Sequence, residues 1–282
     1  MNGFKEKIVI TLLTLTVTIL CACNQNNDEP INVLLVGNSS IYYNNMPEML
    51  EKIAHENGQE LKTKLIAFGG YTLRDHLNEG IVEKTLDSLN WDFVVLNEQS
   101  TFGENYVVNG LQRVRESESF YKTVREFNSL IKKQGAKTVI ISLYPRKNVP
   151  KIDGEILDYS YMKIAKELDI ELSPVSQTWR DIMNVESKWQ LYRDDNLHPT
   201  PLGSFVTANV IYSTITDSKS KPMNGEITGS FIEEFDGNKR KDSIVPLIKI
   251  NESRSRTISE KAFKNVQKLN KTGGYLNLKK PN

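Results

Sequence analysis

The sequence predicts a three-layer α/β/α sandwich built on a five-stranded parallel sheet. From Ile31 onward, short apolar runs alternate with longer segments of helical periodicity. This alternation is typical of right-handed βαβ units, whose strands are parallel and covered by helices on both faces. The chain has 282 residues, of which 39% are hydrophobic, so it is long enough to bury a large core without disulfide staples.

The five predicted strands are the apolar runs bounded by polar or glycine-containing segments. They cover residues 31–36, 61–67, 93–97, 138–143 and 170–175.

The predicted helices lie between these runs and carry start and stop signals. The first covers 47–57, with Pro47 at its first position and Gly58 after its end. The spacing of Thr72 and Asp75 is that of a capping box, which predicts that the second helix begins at Thr72. Helical periodicity predicts further helices over 111–134, 156–168, 202–215 and 259–269.

We therefore expect one α/β domain over residues 31–217. Residues 218–282 are less regular and contain few apolar runs. The sequence favours an extension that packs on the same domain, and a separate small domain is the alternative.

The N-terminus has the pattern of a secretory signal over residues 1–22. A basic start is followed by an apolar run from Ile8 to Leu20, which is too short to span a bilayer. The segment Leu20-Cys21-Ala22-Cys23 resembles a bacterial lipobox, which implies lipid attachment at Cys23. Residues 23–30 would be a polar tether, similar to the sorting segment of surface lipoproteins of Bacteroidetes. The alternative is a plain secretory signal with an unused thiol. Both interpretations imply export from the cytoplasm. Lipidation further implies a location in the cell envelope, on the periplasmic or surface-exposed face of the outer membrane.

The charge balance bears on possible partners. The chain has 36 Lys and Arg against 35 Asp and Glu, so it lacks the basic excess expected of a nucleic-acid-binding protein. Without residues 1–22 the formal charge is zero, so a lipid rather than a basic patch would hold the protein at a membrane. No metal-ligand spacing and no phosphate-binding glycine motif is present, and we expect no metal or other cofactor.

Chemistry-bearing residues follow the predicted strands, where the loops of a parallel sheet form ligand sites. Ser39 follows the first strand, Gly69-Gly70 the second, and Asp195 and His198 lie after the last. A serine hydroxyl becomes a nucleophile when an imidazole accepts its proton and a carboxylate orients the imidazole. The glycines would let backbone N–H groups, together with that of Ser39, approach an oxyanion. The pattern predicts acyl transfer, with Asp194 as the less well spaced alternative to Asp195.

These blocks resemble those of the SGNH, or GDSL-like, hydrolases. The resemblance rests on Gly37-Asn38-Ser39 after the first strand, on Gly70-Tyr71-Thr72, and on Asp195-Asn196-Leu197-His198, all in family order. It implies a flavodoxin-like fold, Ser39 as nucleophile, His198 as general base, Asp195 as its carboxylate and Gly70 as an oxyanion donor. The family generally cleaves esters, often on acylated sugars.

One block departs from the family pattern. After the third strand the family has Gly-x-Asn, whose Asn donates to the oxyanion, and this chain has Asn97-Glu98-Gln99. Gln99 is the expected substitute, with Asn97 second.

The resulting hypothesis is a lipid-anchored serine esterase acting on a small-molecule or glycan acyl ester. The alternatives are a non-catalytic glycan-binding lipoprotein and an acyltransferase. Three residue choices also stay open: Tyr42 and Tyr43 as a sugar subsite or a wall, Arg146 as a contact for an acidic substrate or a surface ion pair, and His76 as a surface or packing residue.

Overall fold

The structure is a computed structural model that describes residues 29–234, 236–272 and 280–281. The predicted signal, Cys23 and most of the predicted tether lie outside the described residues. None of the helices within the described part combines the length and the apolar character that a membrane span requires.

A five-stranded parallel sheet forms the centre of the protein, as predicted. In chain order its strands are β1 Ile31–Gly37, β2 Leu61–Ala67, β3 Phe93–Leu96, β6 Lys137–Ile141 and β7 Glu171–Ser173. Their order in space is β2-β1-β3-β6-β7, and every neighbouring pair is parallel. Val36 pairs with both Ile66 and Leu96, so β2, β1 and β3 end at the same edge of the sheet.

Helices cover the sheet in two groups. The chain moves in opposite directions from β1 to β2 and from β3 to β7, so right-handed crossovers place the connecting helices on opposite faces. The helices are α1 Ser39–Tyr42, α2 Met46–Glu56, α3 Leu73–Glu79, α4 Ile81–Leu86, α5 Glu118–Lys133, α6 Lys151–Leu168, α7 Val175–Val185, α8 Pro201–Thr216 and α9 Glu252–Thr272.

The predicted capping box of α3 is confirmed. The Thr72 side chain accepts a hydrogen bond from the Asp75 N–H, and the Asp75 carboxylate accepts one from the Thr72 N–H. This cap fixes the start of α3 directly after the Gly69-Gly70 turn.

The helix predicted over 111–134 begins later than expected, at Glu118. Leu111–Gln112 forms strand β5 and pairs with Val107–Val108, strand β4, in a short hairpin. Asn109 and Gly110 both have positive φ, as the tight turn of such a hairpin requires. The apolar residues of this hairpin extended the helical pattern in the sequence, and Ser117 caps the true start of α5.

The strand predicted over 170–175 is also shorter, and a helix follows it at once. Residues 171–173 form β7, Pro174 ends the strand, and Val175 begins α7, which the sequence reading missed. Leu172 of the strand and Val175 of the helix lie close together in the sequence, so the two elements read as one apolar run.

The C-terminal segment is more regular than predicted. Strands β8 Gly225–Ile232 and β9 Lys239–Ile250 form an antiparallel hairpin that packs on α2 and on the turn Tyr43–Asn45. Helix α9 packs on α7 and α8, and it starts seven residues before the predicted helix. These elements belong to the same compact unit as the sheet.

The cover provided by α9 explains the composition of α8. Every residue of α8 from Leu202 to Ile215 is buried, so the helix has no solvent-facing side. A helix of this kind needs neighbours all round, and α2, α7 and α9 supply them.

Candidate active site

Ser39 lies at the first position of α1, immediately beyond the end of β1. The ends of β1 and β3 approach closely here because Gly37 has no side chain: a Cβ at this position would lie 2.8 Å from the Cβ of Asn97 on the neighbouring strand end. Asn38 then caps α1 through its Oδ1, which accepts the Ser40 N–H at 3.1 Å. The hydroxyl of Ser39 is thereby presented at the carboxyl edge of the sheet, partly exposed.

Asp195 and His198 form a compact turn before α8. One carboxylate oxygen of Asp195 accepts the backbone N–H groups of Leu197 and His198, each at 2.9 Å. Asn196 takes a left-handed conformation, with φ of 59°, which closes the turn. The carboxylate and the imidazole are therefore held together by local structure alone.

The same turn brings His198 to Ser39. The Nδ1 of His198 lies 2.6 Å from Oδ2 of Asp195, and its Nε2 lies 3.0 Å from the Oγ of Ser39. Asp195, rather than Asp194, contacts the imidazole. Nucleophile, imidazole and carboxylate thus form one continuous hydrogen-bonded chain.

The surroundings of Asp195 favour its charged form. Partial burial raises the pKa of this carboxyl, but the hydrogen bonds from the His198 ring and from two backbone N–H groups outweigh burial. The net effect is a pKa below the ordinary value of 3.8. An ionised Asp195 accepts the Nδ1–H of His198, which leaves Nε2 free to accept a proton.

Tyr43 and Asn44 fix the position of the His198 segment. The rings of Tyr43 and His198 stack with centroids 4.3 Å apart and an interplanar angle of 7°. The side-chain amide of Asn44 donates to the carbonyl of Pro199 at 3.0 Å. Both residues come from the turn after α1, so the nucleophile segment also positions its partner. Tyr42, in contrast, is buried and donates its hydroxyl to the carbonyl of Glu234.

The glycine turn after β2 borders Ser39. Gly70 has a φ of +76°, which favours glycine, while a Cβ there would meet no atom within 4 Å. The Asn38 amide donates to the carbonyl of Tyr71 at 2.9 Å and so ties this turn to the nucleophile segment. In the part of the chain that the structure describes, the N–H groups of Ser39 and Gly70 have no hydrogen-bond acceptor.

Gln99 presents its amide nitrogen to the same space. Its Oε1 accepts the Thr101 N–H at 2.6 Å, the Thr101 hydroxyl at 2.7 Å and the Gly103 N–H at 3.4 Å. Because backbone N–H groups only donate, the oxygen must face them, and Nε2 is left toward the cleft without an acceptor among the described residues. Asn97, the second choice from sequence, is fully buried and donates to Asn38 instead.

Two buried titratable groups lie beneath these loops. Glu98 accepts the N–H groups of Gln99 and Leu73, and burial raises its pKa to about 8. His76 is a buried packing residue whose Nε2 donates to the carbonyl of Gly37 at 2.6 Å, and burial lowers its pKa. The sequence left His76 open between a surface and a packing residue, and its burial decides for packing. Glu98 was not identified from sequence, because only the folded chain shows its burial beneath the strand ends.

The three strand-end loops and the His198 turn enclose a cleft of about 580 Å³. Ser39, Gly70, Gln99 and His198 line it together, and Arg146 lies on its wall. Glu234 and Asp236, between β8 and β9, also line it. No sequence signal pointed to this contribution from the C-terminal hairpin. No three His, Cys, Asp or Glu side chains within the described residues are placed to hold a metal ion.

Comparison with known proteins identifies similar folds. No protein-family model matches the chain, and no curated protein sequence is significantly similar to it. Among solved structures, a protein from Slackia heliotrinireducens assigned to the SGNH hydrolases is 24% identical, with a TM-score of 0.54 over 66% of this chain and 100% of that chain. A DUF4886 family protein from Bacteroides uniformis is 14% identical, with a TM-score of 0.61 over 85% of this chain and 95% of that chain.

An acetyl xylan esterase, AlAXEase, has a TM-score of 0.53 at 14% identity, over 65% of this chain and 98% of that chain. At these identities the likeness concerns the fold. The chain therefore has the α/β fold found in SGNH hydrolases and esterases, which confirms the fold class predicted from sequence.

Proposed function

We propose that the protein is a serine hydrolase that cleaves carboxylic esters. The observation that carries this proposal is the hydrogen-bonded chain from Asp195 through His198 to Ser39, with distances of 2.6 and 3.0 Å. An imidazole held by a carboxylate and placed within hydrogen-bond reach of a serine is the arrangement that activates a hydroxyl nucleophile.

In the acylation step, Nε2 of His198 accepts the Ser39 proton while Oγ attacks the ester carbonyl carbon. Asp195 stabilises the resulting imidazolium through Nδ1–H. When the tetrahedral intermediate collapses, the bond between the acyl carbon and the alcohol oxygen breaks, and His198 gives its proton to the departing alkoxide. The alcohol leaves, and the acyl group stays on Ser39 as an ester.

In the deacylation step, water takes the place of the alcohol. His198 accepts a proton from water while the water oxygen attacks the acyl carbon. The bond between the acyl carbon and the Oγ of Ser39 then breaks, and His198 returns that proton to Oγ. The carboxylic acid is released and the free enzyme is restored. A sugar hydroxyl in place of water would give acyl transfer. Product analysis with an added sugar acceptor distinguishes acyl transfer from hydrolysis.

The developing oxyanion has three candidate donors. They are the N–H groups of Ser39 and Gly70 and the Nε2 of Gln99, which share the cleft and have no acceptor among the described residues. Donors that are already oriented before the reaction stabilise transition-state charge without reorganisation. Gln99 would thus perform the task of the Asn in the usual family block.

Covalent labelling tests the proposal directly. A fluorophosphonate should add to the Oγ of Ser39, and mass spectrometry should locate the label there. Ser39→Ala should remove both the label and the turnover of 4-nitrophenyl acetate. Ser40→Ala is the matched control, because Ser40 is adjacent in sequence and should stay unlabelled while Ser39 reacts. Full activity of Ser39→Ala would refute the assignment; glycan binding without any label in the wild type would favour the non-catalytic alternative.

We also propose that the substrate is an acylated glycan and that Cys23 carries a lipid that holds the protein in the cell envelope. The glycan proposal rests on the family resemblance, and acetylated xylan is one substrate to test because an acetyl xylan esterase shares the fold.

The lipid proposal rests on the lipobox resemblance of residues 20–23. Labelled fatty acid should enter the wild-type protein and not Cys23→Ala, with Cys21→Ala as control; equal labelling of Cys23→Ala would contradict it.

A further inference from the structure

Arg146 is held at the wall of the cleft by the residues on either side of it. The carbonyl of Pro145 accepts the hydroxyl of Tyr192 at 2.8 Å, and the Lys147 N–H donates to the carbonyl of Asn196 at 2.9 Å. Both partners belong to the segment that carries Asp195 and His198. The loop after β6 is therefore fixed to the catalytic turn proposed above, and the backbone of Arg146 is fixed with it.

Arg146 differs from the other arginines in having no ion-pair or aromatic partner among the described residues. Eight of the ten arginines form an ion pair with Asp or Glu. Arg254 lies over the ring of Trp189. Among the described residues Arg146 has neither kind of contact, and its Nε is buried without any hydrogen-bond acceptor.

Glu234 and Asp236, which line the cleft, and Asp195, which lies behind His198, are already engaged. Asp195 bonds to His198, and Glu234 pairs with Arg193 at 2.8 Å. Asp236 accepts hydrogen bonds from Asn238. Burial lowers the pKa of Arg146 and the charge of Asp195 raises it, without direct contact between the two groups. Within the described part of the chain the guanidinium is thus a half-buried cation without a counterion, an arrangement that a bound anion would complete.

Space for such a ligand extends on both sides of Arg146. A second cavity of about 340 Å³ adjoins the cleft, and Gly70, Gln99 and Arg146 line both. A substrate with its ester at Ser39 could continue past Arg146 into this second cavity. The charge of the guanidinium would then lie along the substrate rather than beyond its end.

We propose that Arg146 binds a carboxylate of the substrate, so that the preferred ester is anionic. The planar guanidinium pairs with carboxylates through two parallel N–H donors. The carboxylate would belong either to the acyl group or to the alcohol, as in an O-acylated acidic sugar. This inference rests on the proposed function, because it assigns the substrate class of the same cleft.

Matched pairs of charged and neutral esters test it. The acyl pair is 4-nitrophenyl hydrogen succinate and its methyl ester; the alcohol pair is an O-acetylated methyl galacturonoside and its methyl ester, followed by acetate release. In the pair whose carboxylate reaches Arg146, either the acyl pair or the alcohol pair, kcat/KM should be higher for the acid than for its methyl ester. Arg146→Gln should lower this ratio about 10- to 100-fold, as expected for loss of a charge-assisted hydrogen bond. Arg146→Lys should give an intermediate ratio, because lysine keeps the positive charge but cannot pair with a carboxylate through two parallel N–H donors.

The control is Arg125→Gln, which breaks a surface ion pair with Glu167 and should leave the ratio unchanged. If Arg146→Gln leaves kcat/KM unchanged for both members of each pair, the inference is overturned. If it lowers kcat/KM equally for both members, the inference is also overturned, and Arg146 is assigned to the support of Asp195. If the wild type neither hydrolyses esters nor takes the phosphonate label, the proposed function fails. The inference is then decided by NMR titration with methyl galacturonoside and its methyl ester: a preference for the acid that Arg146→Gln abolishes supports it, and no preference refutes it.

Discussion

Replacing Gln99 by glutamate tests the proposed oxyanion donor with almost no change of side-chain shape. Glutamate keeps an oxygen at the position where Thr101 and Gly103 donate their hydrogen bonds. It replaces the Nε2 donor at the cleft with a second oxygen, which carries negative charge. The substitution therefore changes the chemistry of one atom while its support remains.

The expected loss follows from these contacts. Removal of one oriented oxyanion donor costs about two to three decades in kcat, or about 2.7–4 kcal/mol of transition-state stabilisation. A carboxylate beside the oxyanion adds repulsion, so Gln99→Glu should lower kcat by at least about 10³-fold. The stability of the fold should change by less than about 1 kcal/mol, because the three hydrogen bonds to the side-chain oxygen are retained.

The assay is steady-state hydrolysis of 4-nitrophenyl acetate, with the urea midpoint of unfolding measured in parallel. Gln99→Ala is the comparison variant, because it removes the donor and also leaves the Thr101 and Gly103 N–H groups without their acceptor. It should lose both activity and stability, whereas Gln99→Glu should lose activity alone. A wild-type kcat in Gln99→Glu would show that Nε2 does not donate to the oxyanion.

Two further predictions concern the carboxyl groups of Asp195 and Glu98. Asp195→Asn should lower kcat by about 10⁴-fold with the fold intact, because an amide can select the wrong imidazole tautomer; steady-state kinetics would contradict this if most of the turnover remained. Burial raises the pKa of Glu98 from an ordinary 4.5 to about 8, so the folded protein holds a proton that the unfolded chain has released. The free energy of unfolding should therefore fall as the pH rises through this window, by up to about 1.4 kcal/mol per pH unit. Glu98→Gln should remove this part of the slope in urea unfolding measured at several pH values, and identical slopes would refute the assignment.

The sheet and the loops that follow its first three strands were predictable because both follow from local patterns. A buried parallel strand is an apolar run, and the loops after such strands meet at one edge. The positions of Ser39 and Gly70 in the sequence were therefore enough to expect them near one another, whereas His198 follows helix α7 and was assigned to the site by the family resemblance. The family resemblance also led to Gln99, since it follows the third strand where an Asn was expected.

The remainder depended on side-chain contacts that a sequence pattern does not show. The orientation of the Gln99 amide is set by Thr101 and Gly103, and the stack of Tyr43 on His198 joins residues that are far apart in the chain. The hairpin around Asn109 and Gly110 did carry a local signal, the Asn-Gly pair, but apolar neighbours favoured a helix there.

The burial of α8 has a practical consequence for handling the protein. Asn209 of this helix accepts a hydrogen bond from the Ser220 hydroxyl, and Ser220 in turn bonds to Ser259 of α9. A shortened chain ending at residue 217 would keep Ser39 and His198, yet it would expose an apolar helix and leave Asn209 without its partner. Such a fragment should aggregate, so screening libraries and crystallisation variants should be shortened from the N-terminal side and should retain α9.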